Sequence, residues 1–385
     1  MASPEFALRG PVGGVGGLGD KLGRLSWLLL LLLTAAASVG FMLLFSAANG
    51  NIDPWASRQM VRFGAGVVVL IMVAMVDIRF WMSLAYPAYF GALVMLVAVE
   101  FIGVTGMGAQ RWLDLGPFVV QPSEFMKIAM VLALARYLHG LEPQQVSHPL
   151  RLLPSIFIIF APVALVLKQP DLGTALLLLA GGCMLLFLAG LSWRIVIAGV
   201  LAGLSAMAVG WRFLEPYQQQ RVLTFLDPES DPMGSGYHIM QSKIAFGSGG
   251  VFGKGFLQGT QSHLNFLPEK QTDFILPILA EEMGFVGAIG LLGLYLMILG
   301  YGLSIAIRSR HHFGRLVTLG VLITFLLYIL INTSMVMGLI PVVGVPLPLI
   351  SYGGTAMMTL MFGFGLVMCV HVHRDVDIPR TNALM

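Results

Sequence analysis

Asp273 closes the polar stretch Gln261–Asp273 and stands immediately before an apolar run, Phe274–Ala280. A carboxylate placed where a long polar loop re-enters apolar sequence is either a helix cap or the working group of a site. Three further clusters put ionisable or hydroxyl groups at comparable positions. In Gln121-Pro-Ser-Glu-Phe-Met-Lys127, Pro122 suits a first helical turn, and Glu124 and Lys127 then fall at i,i+3 on one face. An intrahelical ion pair is one reading of them. Desolvating both charges against lipid is costly, so the lining of a water-filled cavity is the better one. In Lys168-Gln-Pro-Asp-Leu-Gly-Thr174, Pro170 makes a turn, Asp171 can cap the next helix, and Lys168 adds a basic group at the same mouth. Val343-Gly-Val-Pro-Leu-Pro-Leu-Ile-Ser-Tyr-Gly-Gly354 carries no charge, and its two prolines keep it from being helical. Such a segment must be buried in protein or face a cavity, where Ser351 and Tyr352 would supply hydroxyls. Basic groups beside carboxylates suit an anionic, lipid-linked substrate with sugar hydroxyls; proton-coupled transport would use the same groups.

Other chemistries drop out. Gly247-Ser-Gly-Gly-Val-Phe-Gly-Lys-Gly255 invites a nucleotide-loop reading and fails it, because Ser248 replaces the first glycine of that motif and Gly255 the hydroxyl residue after Lys254. What survives is a flexible backbone with Lys254 that can cradle a phosphate, or simply a flexible loop. No H-E-x-x-H marks zinc and no G-x-S-x-G a serine hydrolase. Cys183 and Cys369 lie in apolar runs without metal-like spacing and read as buried small hydrophobes. His311-His312 reads as part of a solvated, Arg-rich turn. A net charge of +3 with no basic run argues against nucleic acid.

The elements that must position these groups are membrane helices. The chain of 385 residues is 57% hydrophobic and 11% charged, against roughly 25% charged in soluble domains. After a flexible leader, 1–26, apolar runs follow at Trp27–Ala47, Val61–Val76, Trp81–Gly103, Pro122–Tyr137, Leu152–Leu167, Leu172–Leu191, Ile195–Trp211, Phe274–Ile307, Leu316–Gly338 and Gly353–Val372. Ten runs define an all-α polytopic membrane domain, 27–374, followed by a tail, 375–385. Counted without the long loop, the inner segments and short outer loops carry Arg and Lys twelve to four in favour of the side of the two termini, the four being Arg58, Arg62, Arg111 and Lys168. That bias makes both termini cytoplasmic and turns the long loop between helices 7 and 8, residues 212–273, outward. Within this loop, Tyr237–Phe246 spaces its apolar residues for a short helix lying on the membrane surface. Phe274–Ile307 exceeds one crossing, which predicts a break near Glu281-Glu282-Met283-Gly284. Gly284, Gly287, Gly290 and Gly293 offer a small-residue face for close packing, including against a partner's span.

The runs Gln121-Pro-Ser-Glu, Gln169-Pro-Asp-Leu-Gly-Thr, Leu226-Asp-Pro-Glu-Ser-Asp-Pro, Gly236-Tyr-His-Ile-Met-Gln-Ser, Phe266-Leu-Pro-Glu, Thr272-Asp-Phe and Pro346–Gly354 together resemble the SEDS family (shape, elongation, division and sporulation). The loop wording is most similar to the family's elongation branch. The resemblance implies a ten-helix fold in the cell inner membrane and a peptidoglycan glycosyltransferase that polymerises lipid II at the periplasmic face. It also implies a class B penicillin-binding protein as transpeptidase partner, alongside other membrane proteins of the elongation machinery. By the family pattern Asp273 is the essential carboxylate, with Glu124, Lys127 and Asp171 lining the same cavity. Asp273 would act as base on the acceptor hydroxyl in an inverting displacement, or as ligand to a divalent cation, Mg²⁺ or Mn²⁺, that neutralises the diphosphate. Lys127 would contact phosphate, positioned by Glu124. Two other functions stay open at this point: a lipid II flippase and a non-catalytic scaffold.

Overall fold

The computed structural model describes residues 18–106, 109–114, 116, 119–210, 219, 223–225, 227, 235–260 and 269–379. Part of the leader, most of the turn-rich 211–234, the stretch 261–268 and the end of the tail lie outside the described residues. A short helix α1 (Leu18–Gly23) precedes α2 (Trp27–Ala47), whose N-cap Ser26 accepts a hydrogen bond from Leu29 N. There follow α3 (Trp55–Met75), α4 (Ile78–Ile102), α5 (Pro122–His139), the one-turn α6 (Pro143–Val146), α7 (Pro149–Lys168), α8 (Leu172–Leu188) and α9 (Trp193–Gly210). Then come α10 (Ser235–Ser248), α11 (Ile275–Arg308), α12 (His312–Val336) and α13 (Gly354–Val372).

Helices occupy all ten expected apolar runs, and seven of them are long and apolar enough to cross a membrane by length and composition. The chain is thus an all-α, multi-pass membrane protein. The exception among the described residues is a small antiparallel sheet between α4 and α5, β1 (Val104–Gly106), β2 (Ala109–Asp114) and β3 (Val119–Val120), in the order β1-β2-β3. The charged or half-polar α5 and the apolar α12 form the centre. Fifteen of the eighteen residues of α5 are buried, since α4, α7, α8, α12 and α13 all pack on it. The most extensive pairing joins α3 to α13. It is permitted by small residues: a Cβ on Gly66 would stand 2.7 Å from Met361 Cγ, and one on Gly365 2.8 Å from Val73 Cβ.

Helix α11 breaks at Gly284, with φ 65° and ψ −161°. The break is filled by the loop after α10. Lys254 N and Gly255 N donate to the carbonyls of Glu281 and Glu282, while Phe285 N and Val286 N donate to those of Gly250 and Val251. The backbone groups released by the kink are therefore satisfied by exchange with the loop rather than left bare in an apolar setting.

Several expectations change. Helix α10 does not simply lie on a membrane surface: Ser242 Oγ donates to Val336 O at 2.6 Å and Ala245 is fully buried, so one face packs on α11 and α12. His311 is not solvated; it is buried at the N-cap of α12, accepts from Gly314 N, and burial pushes its imidazole down to about 4. Cys369 is buried, but Cys183 faces outward from the bundle. The glycine face on α11 is also different. A Cβ at Gly284 would strike Gly253 N at 2.3 Å, and one at Gly287 would strike Met283 Cβ at the same distance, so both serve the kink. Only Gly290 and Gly293 look into open space.

Candidate active site

Residues 269–273 form a strap that leads into α11. Its N-cap position is Phe274, with no side-chain capping bond, so Asp273 does not cap the helix and its carboxylate is left for another use. The strap leans on the uncharged segment 343–353. Tyr352 N donates to Gln271 O at 2.8 Å, Ser351 Oγ to Thr272 O at 2.6 Å, and Asn332 Nδ2 of α12 to Asp273 O at 2.9 Å. Gly344, at φ 70°, lies against the carboxylate: a Cβ there would sit 3.5 Å from Asp273 Oδ2. Burial, then the negative charges of Glu269 and Asp171, push the Asp273 carboxyl up to about 6.

Asp171 reaches this site from the start of α8. Its Oδ1 accepts from Thr174 N at 3.1 Å and its Oδ2 from Thr174 Oγ1 at 2.9 Å, so it does cap its helix. Its cationic partner is Arg111 of β2, at 4.0 Å, rather than Lys168, which is exposed at the end of α7. Arg111 also holds the turn before Asp171, donating to the carbonyls of Gln169 and Pro170. The first turn of α8 touches the same wall as Asp273, for a Cβ on Gly173 would meet Val343 O at 2.4 Å.

Glu124 and Lys127 are buried in the middle of the bundle. Lys127 Nζ lies 2.6 Å from Glu124 Oε1 and also donates to Tyr328 OH, whose ring it faces at 4.5 Å. Tyr328 OH lies 3.2 Å from Glu124 Oε2. The pair is thus a closed, locally neutral triad between α5 and α12. Lys254 is similarly committed: its ammonium lies 2.7 Å from the fully buried Glu281, which also accepts from Thr260 N and Oγ1. It clasps the loop to the α11 kink instead of standing open as a phosphate cradle. Ser351 has its hydroxyl occupied on both sides, accepting from Leu347 N at 2.8 Å while donating to Thr272 O.

A groove of about 1040 Å³ runs between α3, α4, α5 and α13. Its walls are apolar, including Val69, Trp81, Met95, Phe125, Leu132 and Phe362, and its rim residues Val61 and Phe125 are exposed. At one end stands Arg62, two turns into α3, its guanidinium carbon 4.5 Å over the Tyr352 ring. Arg62 Nη1 is buried and, among the described residues, donates no hydrogen bond. Because Tyr352 N grips Gln271 O, the charged end of the groove adjoins the Asp273 strap. Sequence reasoning counted Arg62 and Arg111 only as loop charges, and it missed Tyr328 and Asn332 altogether; a basic residue two turns inside an apolar helix was the signal for Arg62. No three His, Cys, Asp or Glu side chains among the described residues converge as a metal cage. A divalent ion at Asp273 would therefore draw most of its ligands from water and substrate oxygens, as Mg²⁺ commonly does.

A family model described as "FTSW_RODA_SPOVE: Cell cycle protein" matches residues 24–376. The chain belongs to this FtsW/RodA/SpoVE, or SEDS, family. Within it, "Peptidoglycan glycosyltransferase MrdB" of Escherichia coli (strain K12) is 45% identical over 351 residues, covering 90% of this chain and 94% of that protein. A solved chain from "Structural coordination of polymerization and crosslinking by a peptidoglycan synthase complex" superposes with a TM-score of 0.81 at 34% identity, covering 92% of this chain and 99% of the other. The Thermus thermophilus rod shape determining protein RodA superposes with a TM-score of 0.69 at 31% identity, covering 92% and 98%. The SEDS fold and the resemblance first seen in the motifs therefore agree.

Proposed function

We propose that this chain is a peptidoglycan glycosyltransferase that polymerises lipid II into glycan strands during cell elongation. The observation that carries the reading is the junction of an open apolar groove, an Arg62 guanidinium at its end, and a carboxylate strap whose Asp273 titrates near 6. An isoprenoid chain needs such a groove, a diphosphate such a cation, and a sugar hydroxyl such a base.

The acceptor 4-hydroxyl gives its proton to Asp273, its oxygen attacks the donor sugar C1 from the opposite face, and the C1–O bond to the diphosphate breaks. A base poised near 6 is ionised at neutral pH yet still basic enough to take a proton in the transition state. Arg62 stabilises the departing diphosphate, and the undecaprenyl tail lies along the groove. Asp171, fixed by Arg111 and by its own helix, keeps a negative charge beside Asp273 and so sustains its basicity. A divalent cation, Mg²⁺ or Mn²⁺, with Asp273 as its protein ligand would supply charge neutralisation at the same diphosphate. Ten crossings with cytoplasmic termini put this site at the periplasmic face of the inner membrane. A class B penicillin-binding protein completes the synthase by cross-linking the strands. The peptidoglycan synthase complex containing a chain of the same fold supports that pairing.

The deciding measurement is a gel assay of purified protein, with its transpeptidase partner, on lipid II in detergent, run with and without chelator. Polymer in the absence of any membrane separates polymerisation from flipping, and a well-folded Asp273→Asn protein that still makes polymer sinks the assignment.

A further inference from the structure

Asp273 does not cap α11, and its side chain is bounded by a glycine on one side. The orientation of its carboxylate must therefore come from the backbone that carries it. That backbone is unusual for a loop segment: three consecutive carbonyls, those of Gln271, Thr272 and Asp273, each accept a hydrogen bond from one wall of the site. One donor is the backbone N–H of Tyr352. The other two are side chains, Ser351 Oγ and Asn332 Nδ2, at 5% and 0% exposure.

Each of these side chains also binds the wall itself. Ser351 Oγ accepts from Leu347 N at 2.8 Å, and Asn332 Nδ2 donates a second bond to Val345 O at 2.7 Å. Val345 follows Gly344, where an added Cβ would stand 3.5 Å from the Asp273 carboxylate. The two side chains thus tie the acid's own backbone and the segment beside its carboxylate into one unit, across sequence separations of 79 and 59 residues. The strap enters this arrangement through a tight turn, with Glu269 at φ 54°, a conformation that side-chain-bearing residues adopt only when their surroundings impose it.

We infer that Ser351 and Asn332 are positioning residues for the glycosyl transfer, fixing the direction of the Asp273 carboxylate through its backbone rather than by touching the sugar or the diphosphate. This rests on Asp273 being the base. It replaces the expectation that the Ser351 hydroxyl binds substrate, since that hydroxyl has both its donor and an acceptor site engaged. A misplacement of the order of 1 Å at a reacting group costs up to about a hundredfold in rate, so loosening either tie should act on turnover.

The test uses the full chain with its transpeptidase partner and lipid II, and compares Ser351→Ala, Ser351→Thr, Asn332→Ala and Asp273→Asn. Ser351→Ala and Asn332→Ala are expected to lower kcat by about tenfold or more with KM within about twofold. Ser351→Thr, which keeps the hydroxyl, should recover most of the rate. The acid limb of the pH–rate profile should move to lower pH in both alanine variants, because a loosened strap admits water to the carboxylate. Three results would overturn the inference. One is a raised KM at unchanged kcat in Ser351→Ala, which would make the hydroxyl a substrate contact. Another is normal rate in Ser351→Ala with Asp273→Asn inactive. The third is a lowered Tm with unchanged kcat, KM and pH profile per folded molecule, which would make both residues purely structural. Should Asn332→Ala fail to fold, the Ser351 pair decides alone. An active Asp273→Asn protein would instead overturn the choice of base, a different result from any of these.

Discussion

Two acidic sites border helix α12, the buried one at Tyr328 and the half-buried one at Asn332, and they behave in opposite ways. Between α5 and α12, Glu124 meets Lys127 and Tyr328, so its charge is cancelled within hydrogen-bonding distance. At the strap, Asp273 feels the negative charges of two further carboxylates, Glu269 and Asp171, and burial with these charges raises its carboxyl to about 6. A buried charge whose partner is at hand holds structure; a buried charge set beside like charges is raised in energy and kept for chemistry. The closed triad ties α5 to α12 at the centre of the bundle, whereas the strap is the site proposed for the chemistry.

The largest expected effect is at the strap. Asp273→Asn should lower kcat by about 10³-fold, the usual scale for loss of a general base. It should also stabilise the protein. The folded-state carboxyl binds its proton more tightly than the unfolded chain does, so ionising it costs stability as pH rises from about 4 through 6; a shift of that size corresponds to about 3 kcal/mol at neutral pH. A higher Tm in detergent together with lost polymerisation is the signature, and a lower Tm would contradict it. The triad should show the reverse. Removing one partner, Lys127→Met or Glu124→Leu, should cost about 3–5 kcal/mol in stability, whereas the double change to apolar residues should recover much of it. If Lys127→Met kept its Tm and raised only KM, Lys127 would be a phosphate contact and the contrast between the two sites would fail.

Arg62 lies between these extremes, since its guanidinium is stacked but not salt-bridged among the described residues. Arg62→Met should raise KM for lipid II about tenfold or more, equivalent to about 1.4 kcal/mol or more, with little loss of Tm. The pH profile sharpens the same point: polymerisation should fall as pH drops through about 6, where Asp273 takes up its proton, and the Asp171→Asn variant should carry this limb to lower pH by removing a neighbouring charge. The smallest effect on activity belongs to the loop clasp. Lys254→Met should destabilise by about 1–3 kcal/mol and speed hydrogen exchange at the Lys254 and Gly255 amides, which bond the α11 kink, while leaving KM for lipid II unchanged.

The sequence by itself determined what depends on neighbours along the chain. Ten apolar runs became ten helices because length and hydropathy are local properties, and the α11 break fell where two acids and a glycine interrupt an overlong run. The i,i+3 pairing of Glu124 with Lys127 and the helix cap by Asp171 were legible for the same reason. Asp273 was singled out by its position and its motif. Only the tertiary structure decided how these groups are used, because that rests on contacts far apart in the chain. Tyr328 closes the Glu124–Lys127 pair, Glu281 takes Lys254, and Arg111 displaces Lys168 at Asp171. Arg62 looked like a loop charge until α3 proved to begin at Trp55 and carry it to the end of the groove. For Asp273 the local sequence left cap and working group open; the tertiary structure shows no cap and a backbone gripped by neighbours that the packing of α12 and the segment before α13 bring there.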